Sequence, residues 1–287
     1  MNMPTLNISG PFGRDNDHVF SRSDFDTISK LIYQESGNVL PPGKAMLVYS
    51  RLARRLRDRQ LSTFSDYISL IRQDEAERRR PVELLTTNHT YFLREDHHFT
   101  HFRDHVRDDL IQREKDGETI RFWSAGCSSG EEVFSWAFTL LGPERSTGLQ
   151  LAQRKFAFLA SDLTDSVLET GRAGIYPTTA LEPVPTPLRS NWTKQTGATV
   201  QIADPVRNLV RFRRLNLLGN WPFRQTFQVI FCRNVMIYFD EPTKEVLVDR
   251  MAEQLEPGGY LYIGHSERLP GSSGRHFEMV GKTIYRK

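Results

Sequence analysis

Apolar residues in the N-terminal part of the chain recur at intervals of three and four positions, which places them on one face of an α-helix. Three helices are predicted from the stripes Phe25, Ile28 and Ile32; Tyr49, Leu52, Ala53 and Leu56; and Phe64, Tyr67, Ile68 and Ile71. Ser23 with Asp26 resembles a capping box and predicts where the first helix begins. A fourth helix is predicted to open with Phe99 and to end near Gly117.

After Gly117 the pattern changes to short apolar or alternating runs, which are typical of strands. These runs are Ile120–Ala125, Phe156–Ser161, Val210–Leu217, Phe227–Cys232 and Tyr260–Gly264. Helical patterns fall between most of them, for example along 134–141 and 246–255. The alternation predicts an α/β fold, in which helices cover both faces of a parallel sheet. Residues 283–285 are predicted to add a final edge strand.

The same patterns divide the chain into regions. Residues 1–18 are predicted to be a flexible tail, 19–92 a helical domain, 93–118 a linker and helix, and 119–287 the α/β domain. Five prolines from Pro177 to Pro205 interrupt the alternation over a stretch too long for a plain connection. They predict a small inserted subdomain over residues 177–209.

The composition, with 38% hydrophobic and 25% charged residues, is that of an ordinary globular protein. No apolar run has the length of a membrane span and no secretory signal is seen, so a cytoplasmic protein without membrane insertion is expected. A net charge of +3 is too small to argue for nucleic-acid binding. The two cysteines, Cys127 and Cys232, suggest neither a disulfide framework nor a zinc site.

The chemistry of the α/β region starts with FWSAGCSSGEEVFSWAF at Phe122–Phe138. Small residues from Gly126 to Gly130 leave little bulk where a strand passes into a helix, as a backbone needs if it runs close beneath a bound nucleoside. The carboxylates of Glu131 and Glu132 would repel a pyrophosphate. A cofactor with hydroxyl groups and a positive charge, such as S-adenosylmethionine, fits better. A tight turn followed by solvated acids is the alternative.

Polar residues also follow the later strands, namely Asp162, Asn216, Arg233 and Asn234. Parallel strands end at one edge of a sheet, where ligands bind in such folds. A carboxylate after the second strand can accept hydrogen bonds from ribose hydroxyls, and an amide can read an adenine edge. Each residue taken singly has an alternative as a helix cap or turn residue. Their common position at one edge favours a site.

Six motifs together resemble the CheR-type chemotaxis receptor methyltransferases, which esterify glutamates on methyl-accepting chemotaxis proteins. They are TTNHTYFLRE at 86–95, WSAGCSSGEE at 123–132, ASDLTDSVLETGRAGIY at 160–176, LNLL at 215–218, FCRNVMIYFD at 231–240 and GHSE at 264–267. The resemblance implies a class I methyltransferase domain, Rossmann-like, with a mostly parallel seven-stranded sheet. It also implies an all-α N-terminal domain that docks the receptor and a small inserted β-subdomain.

The resemblance further implies roles for single residues, with S-adenosylmethionine as the cofactor and S-adenosylhomocysteine as the product. The implied cofactor contacts are Asn88, Thr90, Arg94, Gly126, Glu132, Asp162, Asn216, Leu217, Arg233 and Asn234. Arg94 and Tyr238 are the implied catalytic residues. The family usually has two phenylalanines before the arginine, where this chain has Phe92 and Leu93, and this departure is mild.

The second predicted helix carries the arginine row RLARRLRDR at 51–59, opposite its apolar stripe. Since methylatable receptors are acidic coiled coils, the row is predicted to dock their cytoplasmic helical region. The predicted docking residues are Arg51, Arg54, Arg55 and Arg59. A solvated face and nucleic-acid binding are the alternatives, and the row lacks the aromatic residues that favour the latter. A monomer is expected.

Two other readings compete with this one. HHFTH at 97–101 places His97 and His101 one helical turn apart, a spacing that metal ligands use, although a solvated helix face is favoured and no metal is expected. The alternative functions are a non-catalytic cofactor sensor and a methyltransferase that acts on RNA, a small molecule or another protein. The complete set of strand-end residues argues against a sensor. The linker motif and FCRNVMIYFD argue against other substrates.

Overall fold

The computed structural model describes residues 18–287, so the predicted tail lies, except for His18, outside the described residues. The chain folds into two compact units. The first contains the residues up to Thr87 together with Tyr238–Asp240, and the second contains Asn88–Ile237 and Glu241–Lys287. Among the described residues, no helix combines the length and the apolar character that a membrane crossing requires.

The described residues of the first unit form four α-helices, of which the apolar spacing predicts the first three. They are α1 (Arg22–Ser36), α2 (Ala45–Asp58), α3 (Phe64–Gln73) and α4 (Glu75–Leu85). The predicted stripes are buried against one another, with the exception of Tyr49, which is half-buried. The fourth helix was not predicted, because its sequence is rich in arginine and glutamate and lacks a continuous apolar face.

The capping box of α1 was predicted two residues too late. The hydroxyl of Ser21 accepts the N–H of Asp24 at 3.1 Å, and the carboxylate of Asp24 accepts the N–H of Ser21 at 2.9 Å. Asp26 instead pairs with Arg22 at 3.0 Å. Both serines in the SRSDFD sequence have an acid three residues later, and the extended backbone of Ser21 selects the first pair.

A buried carboxylate, that of Glu77 on α4, joins three elements of the first unit. Arg55 donates two hydrogen bonds to it, at 2.7 and 2.6 Å, and Arg59 donates from Nε at 2.9 Å. The hydroxyl of Tyr67 adds a third donor at 3.0 Å. Burial alone would raise the pKa of Glu77, but these donors outweigh it and lower the pKa to about 2. The charge of Glu77 therefore stabilises the folded unit.

We predict that Glu77→Gln lowers the free energy of unfolding by about 3 kcal/mol at neutral pH, because it leaves two guanidinium groups without a charged partner. The measurement is thermal or urea unfolding across pH. Since the folded pKa lies below the ordinary value of 4.5, the contribution is complete above that value and is lost as the pH falls toward 2. The variant should lack this acid-dependent step.

Glu75→Gln is the matched control, since Glu75 lies on the same helix in an exposed pair with Arg79 at 2.6 Å. It should leave the unfolding free energy nearly unchanged. Equal losses in the two variants would show that the buried network contributes nothing special.

The second unit is built on a seven-stranded sheet in the order β6-β2-β1-β7-β8-β10-β9. Its strands are β1 (Ile120–Ala125), β2 (Phe156–Asp162), β6 (Val210–Arg214), β7 (Phe227–Cys232), β8 (Leu255–Ile263), β9 (Glu278–Gly281) and β10 (Ile284–Arg286). The pairs among β6, β2, β1, β7 and β8 are parallel, and β10 pairs antiparallel with β8 and β9. The predicted class I architecture is confirmed.

One strand prediction is wrong in its position. Residues 284–286 do form a strand, but it lies between β8 and β9 instead of at the edge. The edge strand on this side of the sheet is β9, where Met279 is exposed and the apolar pattern of a buried strand is missing. An edge strand that buries little gives little signal in the sequence.

Helices pack on this sheet. They are α5 (His97–His101), which continues through a π-helical turn at Phe102–Val106 into α6 (Arg107–Lys115), then α7 (Glu131–Leu141), α8 (Arg145–Ala152), α9 (Asp165–Ala173) and α12 (Glu241–Gln254). Trp136 of α7 stacks on Phe231 of β7 with ring centroids 3.8 Å apart. This aromatic contact fixes α7, and with it the residues at the start of α7, against the centre of the sheet.

The inserted region forms a small antiparallel sheet in the order β3-β5-β4, in agreement with the expected β-subdomain. Its elements are β3 (Ile175–Pro177), α10 (Thr186–Trp192), β4 (Thr193–Thr196), β5 (Thr199–Ile202) and α11 (Asp204–Arg207). Trp192 is fully buried, and its indole N–H donates to the carbonyl of Gly142 at 2.8 Å. The insert is therefore anchored to the C-terminal end of α7.

Candidate active site

The loop after β1 forms one side of the site. The N–H groups of Gly126 and Cys127 both donate to the carbonyl of Ser161, at 2.8 and 2.9 Å, so the loop is tied to the end of β2. Gly126 has a φ of 82°, and a Cβ there would clash with Cγ2 of Val235. Glycine is therefore required by both the backbone conformation and the close approach of the loop after β7.

Asp162 organises the same loop. One carboxylate oxygen accepts the N–H of Ser128 at 2.9 Å and the other accepts the N–H of Thr164 at 3.0 Å. The hydroxyl of Ser128 donates to the carbonyl of Asn88 at 2.9 Å, which connects the linker to the loop. Burial raises the pKa of Asp162, and the backbone donors oppose that rise. Each oxygen keeps a further lone pair for a ligand hydroxyl.

Arg233, at the end of β7, is the most buried charge of the site. Its guanidinium donates to Glu132 at 3.0 Å and contacts the carboxylate of Glu95 at 3.4 Å. It also donates to the backbone carbonyl of Arg94. Glu132 accepts a further hydrogen bond from Ser124 at 2.7 Å. One arginine thus connects β7, the start of α7 and the linker.

The two carboxylates around Arg233 differ in their pKa. Burial raises the pKa of Glu132, and the charge of Arg233 and the hydrogen bond from Ser124 reduce that rise. Burial also disfavours the charged form of Glu95, but Arg233 and His265 outweigh it and lower the pKa to about 2. Glu95 is therefore ionised at neutral pH, and two carboxylates share the single guanidinium of Arg233.

The linker holds Arg94 at the same edge. Its guanidinium donates to the carbonyl of His89 at 2.9 Å and lies 5.6 Å from the centre of the Tyr91 ring. Thr90 is half-buried in this segment.

Asn216 accepts the N–H of Leu218 with its side-chain oxygen at 2.9 Å, which shapes the turn after β6.

Tyr238 is grouped with the first unit, in contrast to the other predicted site residues. Its backbone carbonyl accepts the N–H of Val39 at 2.9 Å. Leu217, by comparison, is buried in the second unit, where its carbonyl accepts a hydrogen bond from Arg250 at 2.9 Å. The structure thus brings the predicted residues of the second unit to the carboxyl edge of one sheet.

Three of the four arginines predicted to dock a receptor have partners within the first unit. Arg51 donates to the carbonyl of Leu84 at 2.8 Å, while Arg55 and Arg59 bind Glu77. Arg54 is exposed. The row is therefore not a purely solvated face, and its docking role stays a prediction.

One positioning residue, Glu267, was missed although its motif was noted. Its buried carboxylate accepts the N–H groups of Asn234 at 2.9 Å and Ile237 at 3.3 Å, and also that of Gly264. It joins the loops after β7 and β8. The GHSE motif was the available signal, but an acid that binds distant backbone N–H groups has no periodic pattern that identifies it.

The histidines of HHFTH are part of the packing. His98 is fully buried and bonded to the hydroxyl of Thr283 at 2.9 Å, and His101 is bonded to the hydroxyl of Tyr262 at 3.0 Å. Burial and the charge of Arg233 lower the pKa of His98 to about 2, so its ring is neutral. Within residues 18–287, no group of three or more histidine, cysteine, aspartate or glutamate side chains is arranged to hold a metal ion.

Comparison with known proteins agrees with this geometry. Residues 88–286 match the family model described as CheR methyltransferase, SAM binding domain, and residues 23–86 match CheR methyltransferase, all-alpha domain. A "Probable chemotaxis protein methyltransferase" of Rhizobium etli is 43% identical over 89% of this chain and 96% of its own length. The "Chemotaxis protein methyltransferase" of Escherichia coli is 39% identical over 93% of this chain and 91% of its own.

We predict that Gly126→Ala weakens the binding of S-adenosylhomocysteine at least tenfold, because the new methyl group would displace Val235 and the loop that carries Arg233. Calorimetric titration of the purified variant measures the affinity. Adding Val235→Ala in the same chain should recover part of it, since the clash is with that side chain. Backbone strain at a φ of 82° should keep the recovery incomplete.

Gly117→Ala is the control, because Gly117 also has a positive φ, 103°, but its Cβ would meet no atom within 4 Å. This variant should bind the ligand with unchanged affinity. If it lost affinity as Gly126→Ala did, strain alone and not the contact with Val235 would be responsible.

Proposed function

The chain belongs to the CheR methyltransferase family and is an S-adenosylmethionine-dependent methyltransferase, and from that premise we propose that it esterifies glutamate side chains of membrane-bound chemotaxis receptors. The observation that carries the proposal is the clustering of Glu132, Asp162, Arg233 and Asn234 at one sheet edge, beside the linker residue Arg94. We place the reaction in the cytoplasm, on the helical region of the receptor, and the enzyme acts as a monomer.

The residues at the edge fit the cofactor. S-Adenosylmethionine supplies a methyl group attached to a positively charged sulfur. The excess carboxylate around Arg233 suits a cofactor with a positive charge and would disfavour one that carries phosphates. Asp162 retains acceptor capacity for ribose hydroxyls, and the glycine at position 126 lets the backbone lie close to the nucleoside.

The receptor glutamate needs little chemical activation. Its ordinary pKa of about 4.3 makes it an anion at neutral pH, so no strong general base is required. The protein must hold its carboxylate in line with the methyl group and exclude water. Arg94 uses one N–H for the carbonyl of His89 and has further donors with which to steer the carboxylate. We assign Tyr238 a hydrogen bond near the transferring methyl.

The deciding experiment uses S-adenosylmethionine with a tritiated methyl group and receptor-bearing membranes. We expect label on the receptor that alkali releases as volatile methanol, because that release is a property of methyl esters. Asp162→Asn should bind S-adenosylhomocysteine about 10- to 100-fold more weakly, since a charge-assisted hydrogen bond contributes about 1.5–3 kcal/mol. Calorimetry measures this loss independently of the receptor.

Asp165→Asn is the control, because Asp165 lies three residues further on, in an exposed pair with Arg214 at 3.5 Å. It should retain full affinity and activity. Alkali-stable label on protein, or label on RNA, would identify another substrate class and contradict the proposal.

We expect the exposed arginines of α2 that Glu77 does not bind to contribute most to receptor binding. Arg54 and Arg57 are exposed, whereas Arg55 and Arg59 are held by Glu77. Arg54→Glu with Arg57→Glu should slow receptor methylation about three- to tenfold at low ionic strength and flatten its salt dependence, because long-range attraction is lost. S-Adenosylhomocysteine affinity should not change.

Arg79→Glu on α4 is the control for this double variant, since it makes a charge reversal of the same kind at another exposed arginine of the first unit. Its receptor kinetics should resemble those of the wild type. A wild-type rate and salt dependence for the double variant would contradict docking by α2. Retention of the wild type alone on DNA at low salt would indicate a nucleic-acid surface.

A further inference from the structure

The linker backbone is unusual on both sides of Arg94. Leu93 has a φ of 56° and Glu95 a φ of 61°, which is the left-handed region. Residues with a Cβ, and long side chains above all, rarely adopt it. Two such residues within three positions persist only where the surroundings hold them, and such strain is concentrated at functional sites.

The contacts that hold this segment converge on Glu95. The N–H of Leu93 donates to the hydroxyl of Ser135 at 2.9 Å, which fixes one end. At the other end, Oε1 of Glu95 accepts from Nδ1 of His265 at 2.8 Å and from the side-chain amide of Asn234 at 3.4 Å. Oε2 of Glu95 lies 3.4 Å from the guanidinium of Arg233. The same guanidinium holds the backbone carbonyl of Arg94.

His98 looks like a further partner of Glu95, but its tautomer excludes this. The hydroxyl proton of Thr283 is donated to the carbonyl of Lys282 at 2.7 Å, so the oxygen of Thr283 must accept from Nε2 of His98 at 2.9 Å. Nδ1 of the neutral ring then carries a lone pair. It faces the second oxygen of Glu95 at 3.6 Å, where two acceptors meet without a hydrogen bond.

Arg233 is therefore the buried charged partner of Glu95, while the half-exposed His265 and the amide of Asn234 bind its other oxygen. Arg233 is itself shared with Glu132 on the opposite side, at 3.0 Å. A buried arginine that serves two carboxylates transmits the position of one to the other, because neither ion pair can be displaced without leaving a buried charge unpaired.

We propose that Glu95 is a positioning residue that, through Arg233, fixes the backbone of Arg94 and thereby aims the Arg94 guanidinium at the substrate carboxylate. The assignment rests on the proposed role of Arg94. It adds that the adjacent acid, which touches neither reactant in this scheme, determines where Arg94 points. Its effect should appear in kcat and in the order of the linker, and only weakly in the KM for the receptor.

The test compares Glu95→Gln, which keeps the size of the side chain and removes its charge, with Glu95→Asp, which keeps the charge and adopts the left-handed backbone more readily. Amide hydrogen exchange of residues 88–98 reports the order of the linker without any substrate. We expect exchange at least tenfold faster in the glutamine variant and kcat at least tenfold lower. The aspartate variant should lie closer to the wild type in both.

Glu256→Gln is the matched control, because Glu256 is another partly buried acid of the second unit, paired with Arg113 at 2.5 Å near the start of β8 and away from the carboxyl edge. It should change neither the exchange nor kcat. Wild-type exchange in Glu95→Gln would overturn the proposal whatever its activity. Fast exchange with a wild-type kcat would also overturn it, since Arg94 would then not depend on the linker.

Failure of the methyltransferase proposal would be seen separately. If the wild type transferred no methyl group to receptors, the hydrogen-exchange measurement would still decide whether Glu95 orders the linker. Should the glutamine variant fold poorly, the aspartate variant carries the test. Fast exchange confined to residues 88–98, with unchanged thermal unfolding, supports positioning, and a uniform rise across the second unit contradicts it.

Discussion

A single buried guanidinium, that of Arg233, is the interaction on which the candidate site depends. It reaches the start of α7 through Glu132 and the linker through Glu95 and the carbonyl of Arg94. Because it follows β7 at the centre of the sheet, its position is set by the most buried strands of the second unit. Two carboxylates share this one guanidinium, so the removal of either partner would leave a buried polar group without its counterpart.

The first unit contains the reverse arrangement, in which one buried carboxylate is shared by two arginines. The carboxylate is that of Glu77, and the arginines are Arg55 and Arg59. A basic row that looks like a binding surface in the sequence is thus divided by the structure. Arg55 and Arg59 connect α2 to α4 through Glu77, whereas Arg54 and Arg57 are exposed.

Much of the fold was predictable from the sequence, because the central strands are buried on both faces. The bounds of β1 and β7 agree with the predicted runs at both ends. The weakly buried edge strand β9 and the polar helix α4 were missed for the opposite reason. Glu77, Glu95 and Glu267 were not chosen as key residues, since their partners are distant in sequence and a carboxylate carries no periodic signal. The roles of the cofactor-binding residues stay predictions, supported by their common edge.

The left-handed residues at positions 93 and 95 have a consequence for how this linker can change. Loops ordinarily tolerate insertions and deletions, because few of their side chains must contact one particular partner. Here two neighbours of opposite charge are turned to separate partners, Arg94 toward His89 and Tyr91 and Glu95 toward Arg233. The loss or gain of one residue would bring the wrong sign of charge to each place. The linker is therefore a segment of fixed length, as constrained in register as a strand although it forms no sheet.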